Sequence, residues 1–317
     1  MTDQTTTSTG ATIPLSTQVG GHAGVQTTED GSLIIKPALA LEHEFYQSLT
    51  TNDSFQALRP FVPKFYGTLK LEGQVDGSEG GGVKASLVLE NLSHPFQKPN
   101  ILDIKLGTKM YDESAPPEKV ERMLKAARDT TSLETGVRLT GFQVYDNETG
   151  EAVNTPKAYG KSLKPSDLPE GIARFFPVSS ESSSKGLPLH LLLPILENIR
   201  EDVAEIREAF AGIEMRMIGG SVLVIYEADI KKAEGGVAWL KKLEEEGPPE
   251  EQDDDDENED EDEKSKPGSP YVVKLIDFGH ARFEPGQGPD QGVLKGIDTV
   301  LRLLDGRIGE LNKNQGS

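Results

Sequence analysis

Fifteen acidic residues and no basic one fall within the twenty positions from Glu244 to Glu263. A like-charged run of this density repels itself and buries too little apolar surface to offset the entropy of ordering. The segment 244–267 is therefore predicted to be a disordered insert. It separates two strongly apolar runs, SVLVIYEAD from Ser221 and YVVKLIDFGHARF from Tyr271. Both read as strands, so the fold must pair them across the insert. The same run dominates the charge. The 317 residues hold 33 Lys+Arg against 53 Asp+Glu, a net charge of −20, but outside the run 297 residues carry 38 acids and 33 bases, net −5. The foldable part is nearly neutral, and a local site for an anionic ligand is compatible with it.

The chain has no Cys, which excludes disulfides, thiolate metal sites and cysteine nucleophiles. That fits a reducing compartment, and nucleus and cytoplasm are the expected locations. The Thr-rich start, residues 1–12, has neither the basic nor the apolar region of a signal peptide and reads as a disordered tail. No stretch reaches the roughly 18 to 20 apolar residues of a membrane span. Between these ends, SLIIK is β-rich and Leu41, Phe45 and Leu49 recur at helical spacing. FVPKFYGTLKLEG and VKASLVLENL flank the Gly-rich DGSEGGG as a hairpin. ILDIKLG is a further strand, and a helix is predicted over 115–129. Its Val120, Met123, Leu124 and Ala127 share one face; Lys119, Arg122 and Lys125 form a stripe opposite, stepping about 60° round the wheel. RLTGFQVYD is strand-like, a Ser-rich insert spans 177–186, and Leu192, Leu196, Ile199, Val203, Ile206 and Phe210 mark a long amphipathic helix. The pattern is α+β, with no internal repeat.

Four groups of residues could carry chemistry. Asp277 in Ile276-Asp277-Phe278-Gly279 closes an apolar strand, where a carboxylate can hold Mg²⁺ against nucleotide phosphates; Asp-Phe-Gly is equally an ordinary strand-ending turn. Lys36 closes LIIK, with Glu44 eight residues on in the helix, and nucleotide kinases pair such a Lys with a helix Glu. A solvated edge Lys is the bland reading. Gln18 to Gly24, QVGGHAG, has the Gly content to approach phosphate but also that of a plain loop. Finally Pro99 to Gly107 reads PxxxDxKxG. On a strand Asp103 and Lys105 point to one face, so an acid and a base converge. The His-Arg-Asp segment of protein kinases is absent from the chain.

PxxxDxKxG is the signature of the inositol polyphosphate kinase family, and the chain resembles that family through most of its length. QVGGHAG looks like the nucleotide-covering loop, SLIIKP the Lys strand, EFY the start of the Glu helix, LVLENL the hinge, IDFGHA the metal-binding strand end and GVLKGIDTVLRLL the closing helix. MIGGSVLVIYE stands where relatives have Ser-Ser-Leu-Leu, with Gly220 and Val222 replacing the first Ser and first Leu, so that Ser221 alone carries over. The compact length and acidic insert most resemble fungal multikinase members. The resemblance implies a two-lobed kinase-like fold, an antiparallel-sheet N-lobe at 13–90 and a larger α+β C-lobe at 91–317, with ATP and Mg²⁺ between them. It implies that Glu90 and Leu92 present backbone groups to adenine and that Asp103 binds ribose or positions substrate. Lys105 would touch the transferred phosphoryl group and the acceptor, Asp277 would hold Mg²⁺, and His280 would face the inositol hydroxyl. Lys119, Arg122 and Lys125, with Lys109 and Arg216, are expected to bind the phosphates of an inositol polyphosphate. The implied activity is phosphorylation of inositol tris- and tetrakisphosphates towards the pentakisphosphate. A hexakisphosphate kinase making pyrophosphates is one alternative. A non-catalytic role is another, with the acidic tract docking basic nuclear or transcription-factor proteins. A monomer is expected, and direct nucleic-acid binding is not, because the basic stripe is short and lacks interleaved aromatics.

Overall fold

The computed structural model describes residues 12–15, 19, 24–70, 85–180, 183–247 and 268–314. Residues 1–11 of the expected tail and 248–267 of the acidic insert lie outside the described residues; Thr12 does not, and opens the first strand.

The N-terminal part holds β1 (Thr12–Pro14), β2 (Gln26–Thr28), β3 (Leu33–Pro37), α1 (Ala40–Thr51), a 3-10 helix (Asp53–Phe61), β4 (Phe65–Lys70) and β5 (Ala85–Glu90). The five strands form one antiparallel sheet in the order β1-β2-β3-β5-β4, so the predicted hairpin is present as β4 and β5. Then follow β6 (Pro99–Leu106), α2 (Pro117–Arg128), α3 (Ser132–Thr135), β7 (Val137–Asp146), β8 (Glu151–Thr155), α4 (Lys157–Ser162), α5 (Leu168–Phe175) and α6 (Leu189–Ala211). The chain ends with β9 (Met215–Met217), β10 (Ser221–Glu227), α7 (Ile230–Glu246), β11 (Tyr271–Ile276), β12 (Ala281–Phe283) and α8 (Gln291–Asn314). A second antiparallel sheet runs β11-β10-β6-β7-β8, and β9 pairs with β12. The Ser-rich stretch is pinned by bridges of Val178 to Leu187 and Ser180 to Ser183.

The two apolar strands flanking the acidic insert are direct neighbours, in register from Ser221 opposite Ile276 to Tyr226 opposite Tyr271. The insert is shorter than its charge suggests. Glu244 to Glu246, expected in the disordered segment, form the last turn of α7. That helix is preceded by Asp229, whose carboxylate accepts from the Lys232 N–H as a cap.

β6 is the central strand of the second sheet, and every residue but Lys105 is buried. Leu102, Ile104 and Leu106 on one face join a core shared with α6 and α8. The six α6 residues read from periodicity are all fully buried, each contributing about 1.5–3 kcal/mol relative to exposure. Ile101, Asp103 and Lys105 face the other way. The chain enters β6 through a loop held by the buried Glu227, whose carboxylate accepts from the N–H groups of Gln97, Lys98 and Asp229 at 2.7–2.9 Å. Three backbone donors compensate its charge and fix where the PxxxDxKxG segment begins. Among the described residues no helix is long and apolar enough to cross a membrane.

Candidate nucleotide and phosphate site

The two sheets face each other across a cleft. Lys36, on β3, points into it, with 15 % of its side chain exposed. Its ammonium donates to Glu42 Oε1 at 2.8 Å and to Asp277 Oδ1 at 2.7 Å. The partner is therefore Glu42 and not the expected Glu44, which is exposed on the outer side of α1. The reason is the helix period. Glu42, Phe45, Tyr46 and Leu49 form the buried stripe of α1 at steps of three and four, and Glu44 falls off it. Burial opposes the charge on Lys36, but Asp277 and Glu42 outweigh it and raise the pKa above its ordinary value. Glu42 Oε2 remains buried without a hydrogen bond.

Phe278 holds this arrangement together. It is fully buried and stacks on Phe45 at 3.8 Å between centroids, edge-on to Tyr46 at 5.9 Å. The Asp-Phe-Gly turn is thus clamped to α1, and Asp277 and Glu42 both reach the Lys36 ammonium. Asp277 itself has φ 65°, among the described residues the only non-glycine in the left-handed region. Asp tolerates that conformation better than most residues, at some cost, and it ends the strand with the carboxylate turned into the cleft.

The floor is β6. Asp103 is 2 % exposed, and its Oδ1, like the Ser221 hydroxyl, is buried without a hydrogen bond. Desolvation raises the Asp103 pKa, and Lys105 and the nearby Ser221 hydroxyl only partly restore it. Lys105 donates to the Gly219 carbonyl at 2.6 Å. Opposite Asp103 on β7 lies Gly141, where a Cβ would meet the Val19 carbonyl at 2.6 Å; only glycine lets the N-terminal segment pass so close. Val19 and Gly24 aside, QVGGHAG lies outside the described residues. Apolar walls come from both sheets, with Ile34 and Leu89 on one side and Leu223, Ile225 and Ile276 on the other, a slot suited to a planar base. At its rim, Asn91 fixes the connecting turn by donating to the Gly31 carbonyl and accepting from Ser93. The Glu90 N–H is already taken by the Lys64 carbonyl, so that amide is not available to adenine. Leu92 lines the slot.

The remaining expected residues lie further out. His280 follows the Asp277 turn, and its charge, after the hydrogen bonds from Ser114 and alongside Arg282, helps hold Asp112 below the usual carboxylate range. Lys109 is exposed and pairs with Glu113 at 3.3 Å. Arg216 differs from expectation: its guanidinium bonds the carbonyls of Gln287 and Gly288 and pairs with Glu284 at 3.3 Å. It fastens the loop after β12 rather than presenting free donors to a substrate. α2 packs chiefly on α3; Leu124 on its apolar face is 39 % exposed, and Lys125 pairs with Asp129. Lys119 is half-buried and Arg122 exposed.

Two cations went unread in the sequence. Arg138 sits directly opposite Lys105 on β7. Lys157 opens α4, which packs on β7 so closely that a Cβ at Gly160 would lie 1.7 Å from the Leu139 carbonyl, and its charge acts on Asp103. A lone Arg at the head of a strand and a Lys after Pro156 carry no local signal; only the sheet register brings them to the site.

The geometry has close counterparts. A family model described as inositol polyphosphate kinase matches residues 86–305. The chain is 30 % identical to the inositol polyphosphate multikinase of Saccharomyces cerevisiae over 90 % of its own length and 96 % of that protein. It is 31 % identical to the Schizosaccharomyces pombe multikinase over 66 % of this chain and 77 % of that one. With mouse inositol hexakisphosphate kinase 1 the identity is 28 % over 69 % of this chain and 51 % of that protein. The crystal structure of the S. cerevisiae inositol phosphate multikinase in complex with ADP and Mn²⁺ superposes with a TM-score of 0.65 at 27 % identity, covering 88 % of this chain and 100 % of that one. The chain belongs to the inositol polyphosphate kinase family.

Proposed function

We propose that the chain is an ATP-dependent inositol polyphosphate multikinase that transfers the γ-phosphoryl group directly to hydroxyls of inositol tris- and tetrakisphosphates. The carrying observation is the convergence of Lys36, Asp277 and Asp103 on one cleft with an apolar base slot, with Lys105 on the same face of β6 as Asp103, in a chain whose structural relative holds ADP and Mn²⁺.

The residues suit a divalent ion. Among the described residues no group of three or more His, Asp or Glu forms a protein-only cage. Mg²⁺ needs none, since it is commonly held by one or two carboxylates with substrate phosphates and water. Asp277 supplies the principal carboxylate. When bound, the ion neutralises charge on the phosphates and on the group in flight. The protein's own part is positioning. Lys36, fixed by Glu42, meets the α and β phosphates. Lys105, held at the Gly219 carbonyl, needs only a side-chain rotation to follow the transferred group. Asp103, kept dry and short of partners, is placed to accept a hydroxyl hydrogen bond from ribose or acceptor. In-line placement and charge neutralisation supply most of such a reaction.

Incubation with ATP and Mg²⁺ and either inositol 1,4,5-trisphosphate or inositol hexakisphosphate, followed by chromatography of the products, tests the reading. Conversion of the trisphosphate to tetrakis- and pentakisphosphate is expected. Consumption of the hexakisphosphate alone would move the chain to pyrophosphate synthesis, and consumption of neither would remove the kinase assignment.

A further inference from the structure

Arg138 is a half-buried cation near Asp103 that does not line the nucleotide slot. It is the second residue of β7, on the face opposite the core residue Val137, and the register sets it against Lys105. Cross-strand partners share a face of the sheet, so Arg138 looks out over the same floor as Asp103 and Lys105. Burial lowers its pKa, with the Asp103 charge acting in the other direction. Yet its guanidinium makes no hydrogen bond or ion pair among the described residues. A guanidinium stays protonated at any physiological pH and has five donors. Leaving it partly desolvated without partners is costly, and the cost is recovered when an anion arrives.

Two observations say which anion. The base slot and its phosphate end are lined by Lys36, Asp103 and Asp277 but by neither Lys105 nor Arg138. Lys105 leans towards Gly219, at the entry to β10, whereas Arg138 stands on the opposite neighbour of β6. The two cations therefore flank the last residues of β6, beyond the nucleotide and on the side where the chain leads to α2. Resting on the kinase reading above, we propose that Arg138 is a further acceptor-binding residue, which grips a phosphate group of the inositol polyphosphate beside the hydroxyl being phosphorylated. A planar fork matches a phosphate with two parallel hydrogen bonds, and a partner fixed on the sheet rather than on a surface helix sets the distance between that phosphate and Lys105. Arg138 thereby selects acceptors with a phosphate at the matching ring position.

The test compares wild type with Arg138→Gln and Arg138→Lys in steady-state kinetics on inositol 1,4,5-trisphosphate, alongside calorimetric ADP binding and thermal unfolding. Wild-type turnover comes first; if it is absent, the kinase reading and this one fall together. With wild type active, Arg138→Gln is expected to raise the acceptor KM by roughly tenfold or more. The ATP KM and ADP affinity should stay within about twofold, and Tm should not fall. Arg138→Lys should recover part of the acceptor affinity, since it keeps the charge and loses the fork. The proposal is overturned, with the kinase reading intact, if the acceptor KM is unchanged or if ADP binding weakens in parallel. It is equally overturned if the only effect is a lower Tm, the signature of a residue that merely balances Asp103. Should Arg138→Gln not fold, Arg138→Lys decides on the same KM readout.

Discussion

Glu42→Gln keeps the side chain's volume and removes the charge that meets Lys36. Glu42 is 1 % exposed and bonds the ammonium at 2.8 Å, while Asp277 holds the same ammonium at 2.7 Å. Because Asp277 remains, the substitution does not strand a buried charge, and the full ~3–5 kcal/mol of a broken buried pair does not apply. What is lost is the negative charge behind one hydrogen bond, at most about 1.5–3 kcal/mol, since the Gln oxygen can still accept from the ammonium. Part is returned, because Glu42 Oε2 already lacks a partner. A net loss of about 1–2 kcal/mol corresponds to a Tm lowered by roughly 1.5–3 °C in a protein of this size. The catalytic effect is larger. With Glu42 neutral, Lys36 is drawn by Asp277 alone, towards the carboxylate proposed to hold the metal and away from the proposed nucleotide position. If the positioning is expressed in the transition state, the same 1.5–3 kcal/mol becomes about tenfold to a hundredfold in kcat/KM for ATP. Glu44→Gln is the control: an exposed residue should change stability by no more than about 0.5 kcal/mol and leave turnover alone. A coupled ADP-release assay with varied ATP at saturating acceptor, run beside thermal unfolding, reads both quantities. Equal losses from the two substitutions, or wild-type kcat/KM in Glu42→Gln, would refute the assignment of Glu42 as the partner.

Lys105→Ala should abolish transfer while leaving ADP binding, measured by calorimetry, within a fewfold of wild type. Asp103→Asn should raise Tm at pH 7 and remove activity: the Asp103 pKa is raised in the folded protein, so its stabilising contribution is lost as pH rises, and at neutral pH the buried charge is a net cost. Asp202, which accepts from the Tyr271 hydroxyl at 3.2 Å, is pushed up by burial to about 6. By the same sign, the Tm of wild type relative to Asp202→Asn should fall between about pH 4 and pH 6 and then level off; a flat difference across that range would contradict it. Deletion of Asp253 to Glu263 should leave kcat and KM unchanged, since the strands on either side pair directly; lost activity would show that the insert serves the site.

What could be read from the chain alone was whatever repeats. The α6 stripe and the strands either side of the acidic tract carry strong periodic or β-branched signals, and PxxxDxKxG places an acid and a base on one face by alternation alone. α7 was hidden for the opposite reason. Its buried face is Ala233, Gly236, Val237 and Leu240, with Gly236 pressed against Pro270, so small residues pack it without a hydrophobic stripe, and its acidic end merges into the charged run. Glu42 was legible but misread: the stripe was drawn through Leu41, Phe45 and Leu49, when Phe45 and Leu49 also fit a stripe passing through Glu42. Arg138 and Lys157 were not legible at all, because their proximity to Asp103 comes from strand order and from a glycine contact between α4 and β7.

The edge strand β11 has two ends with different duties. Asp277 follows its C-terminal end; the chain from the acidic tract enters at Tyr271, six residues earlier, roughly 20 Å away at about 3.3 Å per residue. Gly247 and Gly268 mark where that tract leaves and rejoins the described fold, and closing a longer connection between fixed points costs only about 0.6 kcal/mol per doubling. Evolution can therefore lengthen or recompose this segment without moving the Asp277 carboxylate. The same junction is a natural place to open the gene, whether for new termini in a circular permutant or for a guest domain that reports on the enzyme without touching its cleft.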